Sequence, residues 1–275
     1  MSTLFLVATP IGNLEDISSR ALRILRQVRM IAAEDTRQTI KLLNHYEIHT
    51  PLSSYHEHNK LTRLNQVLST LAEGDVALVS DAGTPALNDP GYELVRAVLH
   101  AGHHVSPIPG PCAPVAALVA SGLPTDAFLY LGYLPRKSHE RQQTLQQVCN
   151  TPYTLIFLES PHRLLDGLKD IQGVLGDRQI SIARELTKLY EDIFRGTVQQ
   201  AVEHFTAHPP RGEITLVIAG KQGPKELWDQ GALDKAISEA LQASLPATQI
   251  ASQLAGVSGW SRREVYRRIT EIQKE

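Results

Sequence analysis

The 275-residue sequence lacks the signatures of several large enzyme classes. It has no GxxxxGKS/T, no GxGxxG after a strand, no HExxH and no GxSxG. Those patterns supply a phosphate-cradling loop, a dinucleotide turn, a zinc pair and a nucleophile elbow. P-loop NTPases, dinucleotide dehydrogenases, zincins and α/β-hydrolases are therefore poor fits. Cysteine is scarce: Cys112 and Cys149 stand in no metal or redox spacing, which fits a reduced, cytoplasmic setting. "HEH" at 56–58 offers two histidines without a third ligand, so no metal is expected. Long apolar runs are missing too. "LFLVA", Leu4 to Ala8, has no basic flank and is too short for a bilayer span or a signal peptide. No membrane segment is expected, and no internal repeat is evident. Net charge is −2 at pH 7, so any case for a nucleic-acid partner must rest on local patches.

What is present is an alternation of strand-like and helix-like runs. The length suggests two domains on a prior of about 100–200 residues each. Hydrophobic content of 42% is enough for a core. "LFLVA" precedes "NLEDISSRALRILRQV", whose Ile17, Ala21, Leu22, Leu25 and Val28 share one helical face, with Asn13 or Asp16 as the expected cap. "LTRLNQVLSTLAEG" repeats the pattern and stops at Gly74. Val76 to Val79 read as a buried strand, and a helix is expected from Tyr92 with Leu94, Val95, Val98 and Leu99 inward. "HVSPIPG" and a small-residue helix "CAPVAALVASG" follow. Strands alternating with helices imply a mainly parallel sheet and an α/β fold.

Composition shifts at "SGLPTD", Ser121 to Asp126. The second half reads "AFLYLGYL", a helix rich in Gln and Arg, "YTLIFLES", another helix, "QISIARE", "LYEDIFRG" and "EITLVIAG". Short connections among the last strands predict a mixed sheet. "GKQGPK", Gly220 to Lys225, reads as a linker, and the last fifty or so residues as helical. The expected division is an α/β domain over 1–122, a second over 123–220, and a helical tail over 221–275.

Between the Val76–Val79 strand and the Tyr92 helix lies "SDAGTPALNDPG", with two Asp, two Gly and two Pro. It exceeds the usual roughly two to six residues of such a connection. Loops at the C-terminal ends of parallel strands are where open α/β sheets bind ligands. "ATPIGNLED" puts Pro10 and Gly12 at another strand end, read equally as a tight turn or as close backbone approach to a ligand. "PIPGPCAP" places small residues at a helix start, where free N–H groups can take an acceptor. Cys112 there has no nearby general base, which favours packing over reactivity. "AAEDTR", "FLESPHR" and "ARELTKLYE" gather charge at three strand ends, as helix-start ion pairs or as the walls of an active cleft.

The ordered set "TPIGNLEDISSRA", "AEDTR", "HEHN", "SDAGTPALNDPG", "PGPCA", "SGLP", "ESPHR", "ARELTK", "RG" and "GEITLVI" resembles the tetrapyrrole-methylase-fold family of S-adenosylmethionine (SAM) enzymes, from Leu4 to about Gly220. The similarity is strongest to the branch that methylates a cytidine ribose 2′-hydroxyl in small-subunit (16S) rRNA. The resemblance implies two α/β domains, SAM folded into the cleft between them, and a homodimer acting on rRNA within the assembled small ribosomal subunit. It implies that Pro10, Asp81, Ala82, Gly83, Thr84, Cys112, Ala113, Leu158, Leu186 and Ile214 contact the cofactor. The family's Gly-Asp-Pro loop reads Asp81-Ala82-Gly83 here, so sulfonium contacts carry over less directly than the loop's general role.

Methyl transfer from a sulfonium is an in-line displacement in which the protein supplies position and field. A ribose hydroxyl needs a proton acceptor or a polarising cation. The candidates are Glu159, His162, Glu185 and Lys188; a lysine serves as acceptor only with a depressed pKa. Asp35, Arg37, His56, Arg163 and Arg184 are substrate-contact candidates, the arginines toward phosphates. In the tail, "PATQIASQLAGVSGWSRREVYRRITEIQ" resembles a helix-turn-helix whose helices are separated by "GVSG". Arg262, Arg263, Arg267 and Arg268 are its RNA-contact candidates, against a plain helical cap or dimer contact. Trp260 either anchors the helix or stacks on a base. Two alternatives remain: a small-molecule or tetrapyrrole methyltransferase of the same fold, and a non-enzymatic nucleic-acid-binding regulator.

Overall fold

The computed structural model describes residues 1–57, 59–221, 228–243 and 245–273. His58 of the "HEH" run and most of the expected "GKQGPK" linker lie outside the described residues. The chain divides into two compact units, 1–221 and 222–275.

The first half of unit 1 forms a five-stranded parallel sheet. Its strands are β1 (Thr3–Val7), β2 (Met30–Ala33), β3 (Leu52–Ser54), β4 (Val76–Val79) and β5 (His104–Ile108), in the order β3-β2-β4-β1-β5. The two-residue side-chain period sends alternate residues to opposite faces. Ile31, Ala33, Ala77 and Val79 pack under α1 (Ser19–Gln27) and α2 (Thr36–His45). Met30, Ala32, Val76 and Leu78 pack under α3 (Lys60–Glu73) and α4 (Tyr92–His100). With both faces covered, the central strands β2 and β4 read as short continuous apolar runs. β3 gives no strand signal in the sequence, because its three residues, LSS, hold a single apolar side chain. Two local expectations are corrected. Ser18 caps α1, its Oγ accepting from Ala21 N–H at 3.1 Å, while Asn13 caps a separate 3-10 turn over Leu14–Asp16. Leu99 is 56% exposed, because α4 buries only Leu94 and Val98 fully.

The second half forms a mixed sheet, β6 (Phe128–Tyr133), β7 (Thr154–Glu159), β8 (Gln179–Arg184), β9 (Asp192–Thr197) and β10 (Ile214–Ile218), in the order β6-β7-β10-β8-β9. Only β6 and β7 pair in parallel; the other neighbours are antiparallel. β7 and β8, both antiparallel to β10, thus end at the same edge, which brings "ESPHR" beside "ARELTK". One face is covered by α6 (Ser138–Val148), α7 (Leu164–Leu175) and α8 (Val198–Ala207). The other face, at Ile156, Ala183 and Val217, receives Ala117 and Leu118 of α5 (Ala113–Ser121). A helix from the first half therefore seals the second sheet, which makes 1–221 one unit.

Unit 2 packs α9 (Gln230–Gln242), α10 (Ala247–Ser258) and α11 (Arg262–Ile272) around Leu233, Ile237, Ile250, Val265 and Ile269. The expected "GVSG" break is shorter in the structure. Gly256 to Ser258 stay helical, and the chain turns at Gly259, whose φ of 75° is left-handed. Ser261 and Glu264 then form a reciprocal capping box for α11. Trp260 Nε1 donates to the Trp228 carbonyl at 2.8 Å, so this tryptophan is an anchor. No helix among the described residues is long and apolar enough to cross a membrane.

Inside unit 1, Arg141 is 4% exposed and donates from Nε to Asp170 at 2.6 Å. Burial alone would raise the Asp170 carboxyl, but bonds from Gln142, Arg141 and Ser138 outweigh it and hold the group below its ordinary value. A depressed native pKa stabilises the fold above the unfolded carboxylate's value, about 3.9, and that contribution disappears as pH falls through the native value. Asp170→Leu leaves the guanidinium buried and unpaired, a loss of about 3–5 kcal/mol. For a unit of this size that lowers Tm by roughly 6–20 °C. Arg141→Met with Asp170→Leu is expected to recover much of that loss at pH 7. Thermal melts of the three proteins check both statements.

Candidate functional site

The C-terminal ends of the first sheet and one edge of the second face a common cavity of about 610 Å³. The loop after β4 forms one wall. It is fixed to all three neighbouring strand ends. Thr9 and Gly83 exchange backbone hydrogen bonds at 2.9 and 3.0 Å. Asp35 N–H donates to Asp81 Oδ1 at 2.9 Å, and Thr84 Oγ1 donates to the Pro111 carbonyl at 3.1 Å. Gly83 is left-handed at φ 83°, and so are Ala86 (66°) and Asn88 (65°), which lack glycine's freedom. Such backbone costs about 1–2 kcal/mol per residue and persists where its surroundings over-determine it. Gly132 on β6 supplies part of that surrounding: a Cβ there would stand 2.3 Å from Asn88 Nδ2.

The opposite wall is built around Glu185. Its Oε1 accepts from Lys188 Nζ at 2.9 Å and from Glu213 N–H at 3.1 Å. A Cβ on Gly212 would lie 2.1 Å from that same oxygen. Lys188 also contacts Glu213 Oε2 at 3.3 Å. Its stem crosses Gly12, where a Cβ would come within 2.4 Å of Cγ, while Asn13 N–H donates to Thr187 Oγ1 at 3.1 Å. The β1 loop and the β8 loop are thereby clasped.

Six carboxylates line this cavity, those of Glu34, Asp81, Asp89, Glu159, Glu185 and Glu213, with Lys188 as the lining cation. Burial raises Glu34, helped by Asp89; burial raises Asp81, opposed by the Asp35 N–H; burial raises Asp89, opposed by Ser80 and reinforced by Asp81. Glu185 is lowered, chiefly by the Lys188 hydrogen bond. Lys188 is pulled down by burial but raised further by Glu185 and Glu213, and its net shift is upward. That direction removes Lys188 as a proton acceptor; it is a fixed cation. Tyr130 is pushed up to about 12, first by burial, so it is a neutral phenol at pH 7.

The expected residues fall into three groups. Asp81, Ala82, Gly83, Thr84, Cys112, Ala113, Leu158, Ile214, Glu159, Glu185 and Lys188 line the cavity. Pro10 and Leu186 are absent from the lining; Ile11 takes the place beside the β4 loop, and Leu186 turns into the cluster under α5. His162 sits exposed on a 3-10 turn, and Arg163 is drawn to Glu159, whose other oxygen finds no hydrogen-bond partner among the described residues. Arg184 meets Asp192 at 3.5 Å. Arg37 binds its neighbour Asp35 through two nitrogens, at 3.0 and 2.7 Å, which lowers Asp35 to about 2. His56 lies past β3, its N–H held by Asn59 Oδ1 at 2.8 Å. In unit 2, Arg268 grips Asp234 at 2.6 Å and Arg267 reaches Glu271 at 3.8 Å. Arg262 and Arg263 line an open pocket with Thr248 and Tyr266. The sequence reading missed Glu34, Asp89, Tyr130 and Tyr133. Glu34 and Asp89 stood inside quoted motifs, whereas the tyrosines gave no signal beyond strand composition.

The Glu185–Gly212 contact yields a double-mutant test. Gly212→Ala adds left-handed strain, about 1–2 kcal/mol, and drives a methyl into the carboxylate. In a Glu185→Ala background the clash disappears and only the strain remains. The second substitution should cost at least about 1 kcal/mol less there, measured by denaturant unfolding.

The chain matches the family model described as tetrapyrrole (corrin/porphyrin) methylases over residues 3–202. It is 48% identical over 269 residues to "Ribosomal RNA small subunit methyltransferase I" of Halalkalibacterium halodurans, covering 96% of this chain and 93% of that one. A protein of the same name from Synechocystis sp. is 45% identical, with 100% of both chains covered. One from Thermotoga maritima is 48% identical over its whole length, which covers 81% of this chain. Among solved structures, a cobalt precorrin-4 methyltransferase superposes with TM-score 0.60 at 16% identity, covering 79% of this chain and 94% of that one. Uroporphyrin-III C-methyltransferase from Thermus thermophilus gives 0.54 at 18% identity, covering 80% and 92%. At those identities the likeness is one of fold. The chain belongs to the tetrapyrrole (corrin/porphyrin) methylase family, within the group of proteins named ribosomal RNA small subunit methyltransferase I.

Proposed function

We propose that this methyltransferase moves a methyl group from SAM to the ribose 2′-hydroxyl of a cytidine in small-subunit (16S) rRNA. We further propose that it acts in the cytoplasm as a homodimer, on the assembled small subunit. The observation that carries the reading is end-to-end similarity to relatives of that name, at 45% identity, in a chain whose two sheets face one acid-lined cavity. Exposed Leu189 (88%) and Tyr190 (72%) favour a second copy as partner. The division into domains at 122 and 220 is part of the same proposal.

The cavity fits SAM by its chemistry. SAM supplies an electrophilic methyl on a sulfonium and carries net positive charge. Glu34, Asp81 and Asp89 would favour that charge, and the close backbone approach at Thr9 and Gly83 leaves room beside the loop. Leu158, Ile214 and the neutral Tyr130 offer apolar surface for an adenine. Pro10 and Leu186 would act from behind Ile11 and α5. The fixed ammonium of Lys188 can polarise a hydroxyl without taking its proton. Of the other acceptor candidates, Glu185 is engaged by Lys188 and Glu213, and His162 stands outside the lining. Proton uptake then falls to a cavity carboxylate: half-buried Asp89, with Glu159, paired with Arg163 and its other oxygen buried, as the second candidate. Of the four tail arginines, Arg262 and Arg263 are in no ion pair among the described residues and are the ones proposed for RNA.

Small subunits lacking the modification, incubated with methyl-labelled SAM, should yield labelled 2′-O-methylcytidine on nucleoside analysis. Label only on a base, or on a tetrapyrrole in place of RNA, sinks the proposal. A pH experiment probes the cofactor half. Because Glu34, Asp81 and Asp89 are raised, they take up protons at higher pH than ordinary carboxylates. SAM affinity measured by calorimetry should weaken by roughly three- to tenfold from pH 7 to pH 5, and a flat profile contradicts the acidic wall's role.

A further inference from the structure

The cavity repels what a nucleic acid carries most of. A polyanion can offer a ribose to a site lined by six carboxylates only if its phosphates are met by cations outside. Two follow closely in the chain after one lining residue. Tyr133 lines the cavity at the end of β6, and the chain continues through Leu134 and Pro135 to Arg136 and Lys137 before α6 begins. Leu134 is buried, its N–H donated to the Leu158 carbonyl at 3.3 Å, so this segment leaves the sheet beside the end of β7 at Glu159.

The segment is held by a buried guanidinium. Arg141 Nη1 donates to the carbonyls of Pro135 and Arg136, both at 3.2 Å, while Nε is bound to Asp170. Asp170 also takes Ser138 Oγ at 3.0 Å and Gln142 Nε2 at 2.7 Å. Burying an arginine costs several kcal/mol of desolvation, which its bonds must offset. A plain surface loop needs no such device. What the fixed backbone presents is Arg136, exposed and in no ion pair among the described residues, and Lys137, 79% exposed. Lys137 touches Glu140 at 3.0 Å in solvent, a contact worth little.

We propose that Arg136 and Lys137 form a phosphate clamp at the mouth of the cleft, gripping the RNA backbone beside the nucleotide whose ribose enters. The inference rests on the RNA methyltransferase reading and names a binding element within it. A planar guanidinium and an ammonium on consecutive residues suit successive phosphates and carry no base preference. Arg141 is the positioning residue behind them.

The test is the double variant Arg136→Ala/Lys137→Ala. With small subunits lacking the modification as substrate, its apparent KM should rise about tenfold. With a fluorescent single-stranded RNA oligonucleotide, the slope of log affinity against log salt should flatten by about 1.4, or roughly 0.7 per lost phosphate contact. SAM affinity by calorimetry and Tm should stay near wild type, because both side chains are exposed. Arg136→Lys alone should retain most of the affinity. An unchanged KM and salt slope overturns the clamp. A raised KM with an unchanged slope also overturns it, and assigns the lip to a protein contact. If the wild-type protein itself methylates no subunits, the RNA reading fails; if it does and the double variant matches it, the clamp alone fails.

Discussion

Gathering six carboxylates in one cavity is the constraint around which unit 1 is arranged. Like charges at close range in a partly desolvated site repel by several kcal/mol unless they are paired, protonated or matched by a cationic ligand. The second-sheet side solves this with protein cations: Lys188 for Glu185 and Glu213, Arg163 for Glu159. The first-sheet side leaves Glu34, Asp81 and Asp89 without such partners among the described residues and raises all three. That asymmetry is costly in an empty fold and useful in one that binds a cation. The strained β4 loop and its four anchors hold the unpaired acids in place, and the clasp at Gly12 sets the distance between the two walls.

Much of this was legible in the sequence, in proportion to how local each feature is. The strand at Val76–Val79, the helix from Tyr92 and the stop at Gly74 follow from periodicity and a terminating glycine. The three charged motifs were recognisable as strand-end clusters because each directly follows an apolar run. Register and connectivity were not. That "ESPHR" and "ARELTK" share an edge depends on β10 running antiparallel between β7 and β8, and its pairing with β7 reaches from Ile214 back to Glu159. Whether a given charge is free or paired was equally hidden. Arg268 and Arg262 look alike in the string, yet Asp234, 34 residues earlier in the chain, occupies only the first.

The same distinction separates roles within the cleft. Lys188 had the composition of a candidate proton acceptor, but its contacts with two glutamates keep it charged. Pro10 stood one residue from the lining, at a strand end where a single step along the chain exchanges wall for backing. Arg136 and Lys137 carried no motif. They are singled out by the buried Arg141 beneath them, eight positions after Tyr133 in sequence but specified by Asp170 on another helix.

The central claim is that the unpaired acids select a cationic cofactor, and comparing SAM with its neutral thioether product, S-adenosylhomocysteine, tests it most directly. The two ligands share every contact except the sulfonium charge and its methyl. Calorimetric affinities for both should be measured on the wild-type protein and on Asp89→Asn, which keeps shape and removes charge. An unpaired carboxylate near a sulfonium contributes on the order of 1–2 kcal/mol at an effective dielectric near 20. The account predicts that Asp89→Asn weakens SAM about five- to thirtyfold while S-adenosylhomocysteine changes less than twofold. Equal losses for the two ligands, or no loss for either, would contradict it.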